Sequence, residues 1–181
     1  LVYSQETLHV DFDQNNAGIN FASWNNSSSF EKVNNPYPDS NNSSEFVGQF
    51  TAGNDNGIGV GSDDFSSYFN MQELTYFKIN VWASNPIDVK LKLENGPDWG
   101  NHNYEVIASL TASQVNQWTE LIFDFSDVSD VLLNKIVIFM DPEGNFTSEG
   151  DVYYFDDIIG PPFFTAPGIL YSPSDGEIEV P

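Results

Sequence analysis

The sequence lacks cysteine and has few basic residues. Its 181 residues include 27 acids but only five basic residues, all of them lysine, and the formal net charge is -22 at pH 7. Without cysteine, disulfides and cysteine-ligated zinc or iron–sulfur sites are excluded. Such a charge should repel nucleic acid and anionic membrane surfaces, and it disfavours phosphate or sulfated-polymer ligands. Neutral ligands and cations remain.

Long apolar runs are also missing. No stretch of about 18 apolar residues occurs, so the sequence predicts no membrane insertion. The acidic charge does not indicate disorder, because aromatic residues make up 15% of the chain and hydrophobic residues 40%. The length is sufficient for one domain with a sizeable core.

Strict alternation of apolar and polar residues over positions 76–83 and 87–94 is the clearest structural signal. Further short strands are predicted at 8–13, 46–50, 104–110, 119–125, 135–140 and 152–159. Segment 135–140 is nearly all apolar, which predicts a central strand covered on both faces. Short strands separated by Gly, Pro and Asn turns are typical of an all-β protein, an antiparallel β-sandwich or jelly roll. Residues 1–160 form this predicted domain, and the proline-rich residues 161–181 a linker or C-terminal arm.

Two adjacent acids interrupt the closing strand. Successive strand residues point to opposite faces, so Asp156 and Asp157 cannot both face solvent in a one-sided sheet. One of the two side chains should be buried, and a buried carboxylate needs hydrogen bonds or a cation.

An ordered set of motifs runs through most of the chain. It comprises Val-Asp-Phe-Asp (10–13), Asn-Pro (35–36), Asn-x-Ser (42–44), Phe-Lys-Ile-Asn-Val (77–81), Trp-Thr-Glu-Leu-Ile-Phe-Asp-Phe-Ser (118–126), Ile-Val-Ile-Phe (136–139) and Tyr-Tyr-Phe-Asp-Asp-Ile (153–158). Over residues 8–160 this set resembles the jelly-roll carbohydrate-binding modules of families 4, 16 and 22. It particularly resembles modules of flavobacterial surface glycan-binding proteins and modular glycoside hydrolases. The resemblance implies a non-catalytic, monomeric polysaccharide-binding module of a larger bacterial protein, outside the cell or on its outer surface.

The same resemblance implies a structural calcium ion. Its ligands map onto Asp13, after the first-strand aromatic residue, and Asp156, the first acid of the closing pair. The family commonly has Glu where this chain has Asp13, so Asp11 is the alternative first-strand ligand. Calcium takes six to eight oxygen ligands, which carboxylates, amides and carbonyls supply. Without an ion, Asp13 and Asp156 would cap turns or accept backbone hydrogen bonds.

The four tryptophans are the first candidate sugar contacts, because an indole ring can cover the apolar C–H face of a pyranose. Trp99 lies in a Gly/Asn/Pro loop, Trp82 lies opposite the core face of its strand, and Trp24 lies in an Asn/Ser-rich segment. Each can line a glycan cleft, although Trp24 can also lie at the core edge and Trp82 can be covered. Trp118 precedes an apolar strand and is predicted to be core or rim.

Secondary contacts come from aromatic and charged residues. Tyr37 and Tyr104 are further aromatic candidates, and Lys92 and Glu94 are expected across from Trp82, where they can bond sugar hydroxyls. Lys78, Lys90 and Lys92 are expected to project from one face of adjacent strands, which leaves an anionic glycan open.

Three functions are compatible with these features. The first is non-catalytic binding of a polysaccharide, most simply a β-glucan such as laminarin. The second is a glycoside hydrolase or lyase, which would need two carboxylates about 5–10 Å apart; no nucleophile elbow or zinc-ligand pair occurs in the sequence. The third is a protein-binding adhesion or spacer domain at the cell surface.

Overall fold

The computed structural model describes residues 7–13, 19–24, 27–54, 59–129, 132–144 and 147–164. Nothing in these ranges is a helix long and apolar enough to cross a membrane. Their strands are β1 (Thr7–Val10), β2 (Phe21–Ser23), β3 (Ser29–Asn34), β4 (Phe46–Thr51), β5 (Gly59–Ser62), β6 (Tyr68–Phe69), β7 (Tyr76–Trp82), β8 (Ile87–Glu94), β9 (Asn103–Leu110), β10 (Thr119–Asp124), β11 (Lys135–Met140) and β12 (Val152–Phe164).

The strands form two antiparallel sheets. A seven-stranded sheet has the order β10-β7-β12-β4-β3, with β1 and β6 also paired to β12, and a five-stranded sheet has the order β2-β5-β11-β8-β9. This arrangement confirms the predicted all-β sandwich. Segment 135–140 is central, as predicted, because β11 lies between β5 and β8.

The apolar residues of the alternating strands fill the space between the sheets. Phe77, Ile79 and Val81 of β7 are fully buried, and so are the inward residues of β8. Each such side chain contributes about 1.5–3 kcal/mol relative to leaving it in water. Aromatic rings of Phe12, Phe21, Phe30 and Phe155 pack at one end, with centroids 5.6–6.0 Å apart.

The two most regular strands do not pair with each other. β7 belongs to the seven-stranded sheet and β8 to the five-stranded sheet, so Asn85-Pro86 links the two layers. The predicted row of three lysines is therefore wrong. Lys78 lies on the other sheet from Lys90 and Lys92 and bonds Glu120 at 2.9 Å. Alternation identifies the faces of each strand, but not which sheet the strand joins.

The closing strand β12 is the centre of the larger sheet. β4 pairs with residues 152–155, β7 with residues 154–159 and β1 with residues 158–162. The register with β7 shifts between Asp156 and Ile159, and Asp157 has φ 48°. β12 also continues through residues 161–164, which the sequence assigned to the arm; the remainder of that arm lies outside the described residues.

Candidate ligand-binding cleft

A cleft of about 680 Å³ lies on the outer face of the five-stranded sheet. Its volume falls in the range of about 300–1,000 Å³ that is usual for small-molecule sites. It is lined by Ala22, Ser23, Trp24, Gly61, Ser62, Asp63, Lys92, Glu94, Trp99, Lys135, Val137 and Phe139. Four of the predicted contacts, Trp24, Trp99, Lys92 and Glu94, therefore meet in one place.

Glycines of β5 make room for the first tryptophan. A Cβ added at Gly59 would lie 2.7 Å from the Trp24 ring, and one at Gly61 would lie 3.6 Å from it. The indole therefore rests on bare backbone, and it meets Phe139 edge-on with ring centroids 5.5 Å apart. Trp24 remains 54% exposed, so the sheet supports the ring without covering it.

The second tryptophan projects from the turn between β8 and β9. Asn103 Nδ2 donates to the Trp99 carbonyl at 2.7 Å, and Asn101 Nδ2 donates to Asp98 Oδ1 at 2.8 Å. These bonds fix the turn while its indole is 61% exposed. Lys92 Nζ lies 5.7 Å from the ring centroid, which is within cation–π reach.

Three of the chain's five lysines lie on this sheet face, each beside an acid. Lys92 pairs with Glu94 at 2.8 Å, Lys90 with Glu105 at 3.1 Å and Lys135 with Asp64 at 3.5 Å. Glu105 and Asp64 are each 42% exposed, and pairs so close to solvent contribute little to stability. Their consequence is local: the cleft offers donors and acceptors for hydroxyl groups without a strong field of either sign.

Trp82 and Tyr37 lie elsewhere, on the outer face of the seven-stranded sheet. Their rings stack with centroids 4.0 Å apart and an interplanar angle of 5°, and Trp82 is 7% exposed. Trp118 is fully buried, as predicted, and its Nε1 donates to the Tyr37 carbonyl at 2.9 Å. Tyr37 thus covers Trp82, and the two form a structural cluster with Trp118, Val47 and Tyr154.

Asp39 anchors the loop that carries Tyr37. Its carboxylate accepts the backbone N–H groups of Asn41 at 2.7 Å, Asn42 at 3.0 Å and Trp118 at 3.2 Å. Partial burial raises the pKa of Asp39, but these three hydrogen bonds outweigh it and leave the pKa below its ordinary value. The loop is therefore held most firmly when Asp39 is ionised.

Tyr104 also lies away from the cleft. In the register of β8 and β9, Tyr104 lies opposite the buried Leu93 and packs, half-buried, against the core. Its neighbour Glu105 lies opposite Lys92, on the cleft side. The strand alternation of β9 thus turns Tyr104 inward.

Sequence reasoning missed the floor of the cleft. Lys135, Val137 and Phe139 share the outer face of β11, and Gly59 and Gly61 share that of β5. The Gly-Val-Gly alternation at 59–61 is a usable signal, because glycines on one strand face permit close approach of another group. The position of Phe139 on the outer face could not be predicted in this way, because its strand is apolar on both faces.

The predicted calcium ligands Asp13 and Asp156 serve as hydrogen-bond acceptors. Asp156 is fully buried, and its Oδ2 accepts Asn42 Nδ2 at 2.9 Å. Asp13 accepts the backbone N–H groups of Glu45 at 3.0 Å and Phe46 at 2.6 Å. Their chemistry suits calcium, but N–H donors already meet both carboxylates, so an ion would have to use the remaining lone pairs. Calcium stays a prediction here.

Burial raises the pKa of Asp156, although hydrogen bonds from Ser44 and Asn42 oppose that effect. The ionised form is therefore costly in the fold unless more positive charge is near. Asp11, the alternative ligand, lies instead with His9 and Asp157.

Comparison with known proteins gives likeness in structure alone. No family model and no curated protein matches the sequence. A variant of a family 29 carbohydrate-binding module superposes with a TM-score of 0.56 at 13% identity, over 87% of this chain and 91% of that one. Another family 29 variant, complexed with mannohexaose, gives 0.53 at 13% identity, over 86% and 91%.

A third similar structure comes from Clostridium thermocellum. It contains the family 22 module and the catalytic module of endo-1,4-beta-D-xylanase 10B with xylohexaose, and it gives a TM-score of 0.51 at 13% identity, over 88% of this chain and 28% of that one. The chain has the jelly-roll fold of carbohydrate-binding modules. At 13% sequence identity, the structural similarity establishes the fold and nothing further.

Proposed function

We propose that this chain is a non-catalytic carbohydrate-binding module that holds a polysaccharide in the cleft between Trp24 and Trp99. The observation that carries the proposal is the pair of exposed indoles beside one floor that offers both apolar and charged side chains. A pyranose presents an apolar C–H face that an aromatic ring covers, and hydroxyls that charged side chains bond. Lys92 and Glu94 supply both a donor and an acceptor beside the rings.

The ligand class that suits the cleft is a neutral polysaccharide. Each cleft lysine already has an acidic partner, so no unbalanced positive patch favours a uronic or sulfated polymer. A β-glucan such as laminarin is the first ligand to test. Xylan, mannan and β-1,4-glucan follow, because similar structures were solved with xylohexaose, mannohexaose and cellulohexaose.

Binding without hydrolysis fits the acids of the cleft. Glu94 is ion-paired with Lys92, and Asp63 Oδ2 accepts Asn20 Nδ2 at 2.9 Å. Both cleft acids are engaged as hydrogen-bond or ion-pair acceptors, which suits positioning of hydroxyls.

We place the chain as a monomeric module of a larger extracellular or surface-attached bacterial protein. Affinity for an oligosaccharide should be micromolar to millimolar, or about -4 to -8 kcal/mol. Joining the module to an enzyme or to further binding modules would raise the overall avidity.

Affinity gel electrophoresis tests the proposal. We expect laminarin or another neutral glycan of the panel to retard the parental chain, and Trp24→Ala or Trp99→Ala to abolish the retardation. Ile122→Ala is the matched control, because Ile122 is 54% exposed on the opposite sheet. Unchanged migration with every glycan would refute carbohydrate binding. Release of oligosaccharides, followed by product chromatography, would contradict the non-catalytic assignment.

A further inference from the structure

A second group of chemically active side chains lies where the first and last strands meet. His9, Asp11 and Asp157 each offer one ligand atom, and these atoms all lie within 4.8 Å of one another. In the described part of the chain no other set of three His or acidic residues is so close. The group lies on the seven-stranded sheet, whereas the cleft lies on the outer face of the other sheet.

The strand geometry explains why these side chains converge. Val10 pairs with Ile158, and both are buried, so the residues on either side of Val10, His9 in β1 and Asp11 just after it, turn away from the core. The bulge in β12 inserts an extra residue beside this pair, and bulges characteristically re-aim a side chain. The bulge thereby brings Asp157 to the same side as His9. The side chain of His9 is 49% exposed and that of Asp157 is 30% exposed.

The spacing suits direct coordination of an ion. His9 Nε2 and Asp157 Oδ1 are 3.1 Å apart. Two ligands of a tetrahedral zinc ion, with bonds of about 2.0–2.1 Å, are about 3.3 Å apart. The imidazole nitrogen and the carboxylate oxygen share a hydrogen bond, and an ion that replaced it would need these two atoms to move apart by only about 0.2 Å. Asp11 completes a set of one nitrogen and two oxygen donors.

Both carboxylates are oriented by neighbouring groups. Asn80 Nδ2 donates to Asp157 Oδ2 at 3.1 Å, which leaves Oδ1 directed at His9. The backbone N–H of Asp13 donates to Asp11 Oδ1 at 2.8 Å. Hydrogen bonds of this kind fix ligating carboxylates in metal sites and strengthen binding.

We propose that His9, Asp11 and Asp157 form a binding site for a divalent transition-metal ion of the zinc type, which ties β1 to the bulge of β12. An imidazole nitrogen with carboxylates suits zinc and its neighbours, whereas calcium and magnesium take oxygen ligands. The site is thus separate in chemistry from the calcium predicted at Asp13 and Asp156. Water would fill the remaining positions of the ion.

Thermal melting of the tag-free full chain tests the site, with ZnCl2 as the probe. An ion that binds the folded state at a hundred times its Kd should raise Tm by about 5–10 °C for a domain of this size. We expect His9→Gln to remove this shift. Asp157→Asn should also remove it and should fold, because asparagine is well tolerated at positive φ. With the same concentrations of CaCl2 or MgCl2, the change in Tm should be the same for His9→Gln as for the parental chain.

The second histidine is the matched control. His102 lies in the Trp99 turn, 3.8 Å from Asp98, so His102→Gln should keep the full response to zinc. With only two histidines in the chain, imidazole NMR signals assign the ligand directly: zinc should shift the signal that His9→Gln removes. An unchanged zinc response in His9→Gln, a shift of the His102 signal alone, or no response at 1 mM zinc would overturn the proposal.

Discussion

Replacing Trp99 by alanine should weaken glycan binding by more than an order of magnitude. The side chain is 61% exposed. Since a tryptophan contributes about 200 Å² when buried, one face of its exposed part offers about 60 Å² to a sugar ring. Covering that area is worth about 1.5 kcal/mol at 25 cal/mol per Å², and the stacking geometry adds about 1 kcal/mol. Loss of both terms, about 2.5 kcal/mol, should raise Kd roughly 70-fold.

Isothermal titration with the best glycan of the affinity-gel panel measures this change. Trp99 projects from a turn into solvent, so the Tm of Trp99→Ala should stay within a few degrees of the parental value, which separates lost binding from lost folding. Trp82→Phe is a second tryptophan control: Trp82 is covered by Tyr37, so its conservative replacement should leave Kd unchanged. Parental affinity in Trp99→Ala, or an equal loss in Trp82→Phe, would refute this placement of the binding site.

Three further predictions follow from the described contacts. Gly59→Ala should weaken both binding and stability, because its Cβ would lie 2.5 Å from the Ile138 carbonyl and 2.7 Å from Trp24; Gly61→Ala, with contacts of 3.6 Å or more, is the control, and equal Kd and Tm in the two variants would contradict this. Asp39→Asn should cost about 1 kcal/mol at pH 7; since the folded pKa of Asp39 is lowered, this difference should vanish as pH falls below 3.8, and a pH-independent difference in melting would contradict it. Calcium at Asp13 and Asp156 would offset the buried charge of Asp156, so CaCl2 should raise Tm and EDTA lower it, whereas superimposable melting curves would contradict a bound ion.

The sandwich was predictable because its signals are local. Alternation along β7, β8 and β10 assigns each side chain to the core or to solvent, and burial follows that pattern except at Trp82, which Tyr37 covers. Strand pairing is not local. The short link at Asn85-Pro86 is compatible with a hairpin or with a crossover between sheets, and nothing in the two strands distinguishes them.

The candidate cleft was predictable in part, for a related reason. Trp99 lies in a polar loop without apolar neighbours, which favours an exposed ring, whereas the segment of Trp24 is compatible with the core edge as well as with a binding position. Trp82 lies on the outer face of its strand, which is where a ligand-binding tryptophan would also lie. Its coverage by Tyr37 depends on a loop 45 residues earlier that Asp39 and Trp118 hold in place. A contact of such sequence separation leaves no trace in the periodicity of either segment.

The bulge in β12 changes the face to which one of the paired aspartates points. Without it, alternation would direct Asp156 and Asp157 to opposite faces of a flat strand. With it, both acids lie on the face of Asn80, which pairs with Asp156 and donates to Asp157. Asp156 is fully buried there and accepts Asn42 Nδ2, while Asp157 is partly exposed and reaches His9. The sequence thus indicates that one acid is buried, but the ligand chemistry available to Asp157 depends on a backbone distortion that composition does not encode.

The charge distribution favours a neutral ligand more strongly than the net charge does. A chain of net charge -22 repels polyanions at long range, yet Lys90, Lys92 and Lys135 gather on the cleft face and could offset this locally. Each of them is within 3.5 Å of an acid, so a polyanion would have to displace Glu105, Glu94 or Asp64 before it gained an ion pair. The exchange replaces one carboxylate partner of a lysine by another, so it returns little net free energy. A neutral sugar needs no such exchange, because its hydroxyls can bond Lys92 and Glu94 while the pair remains intact.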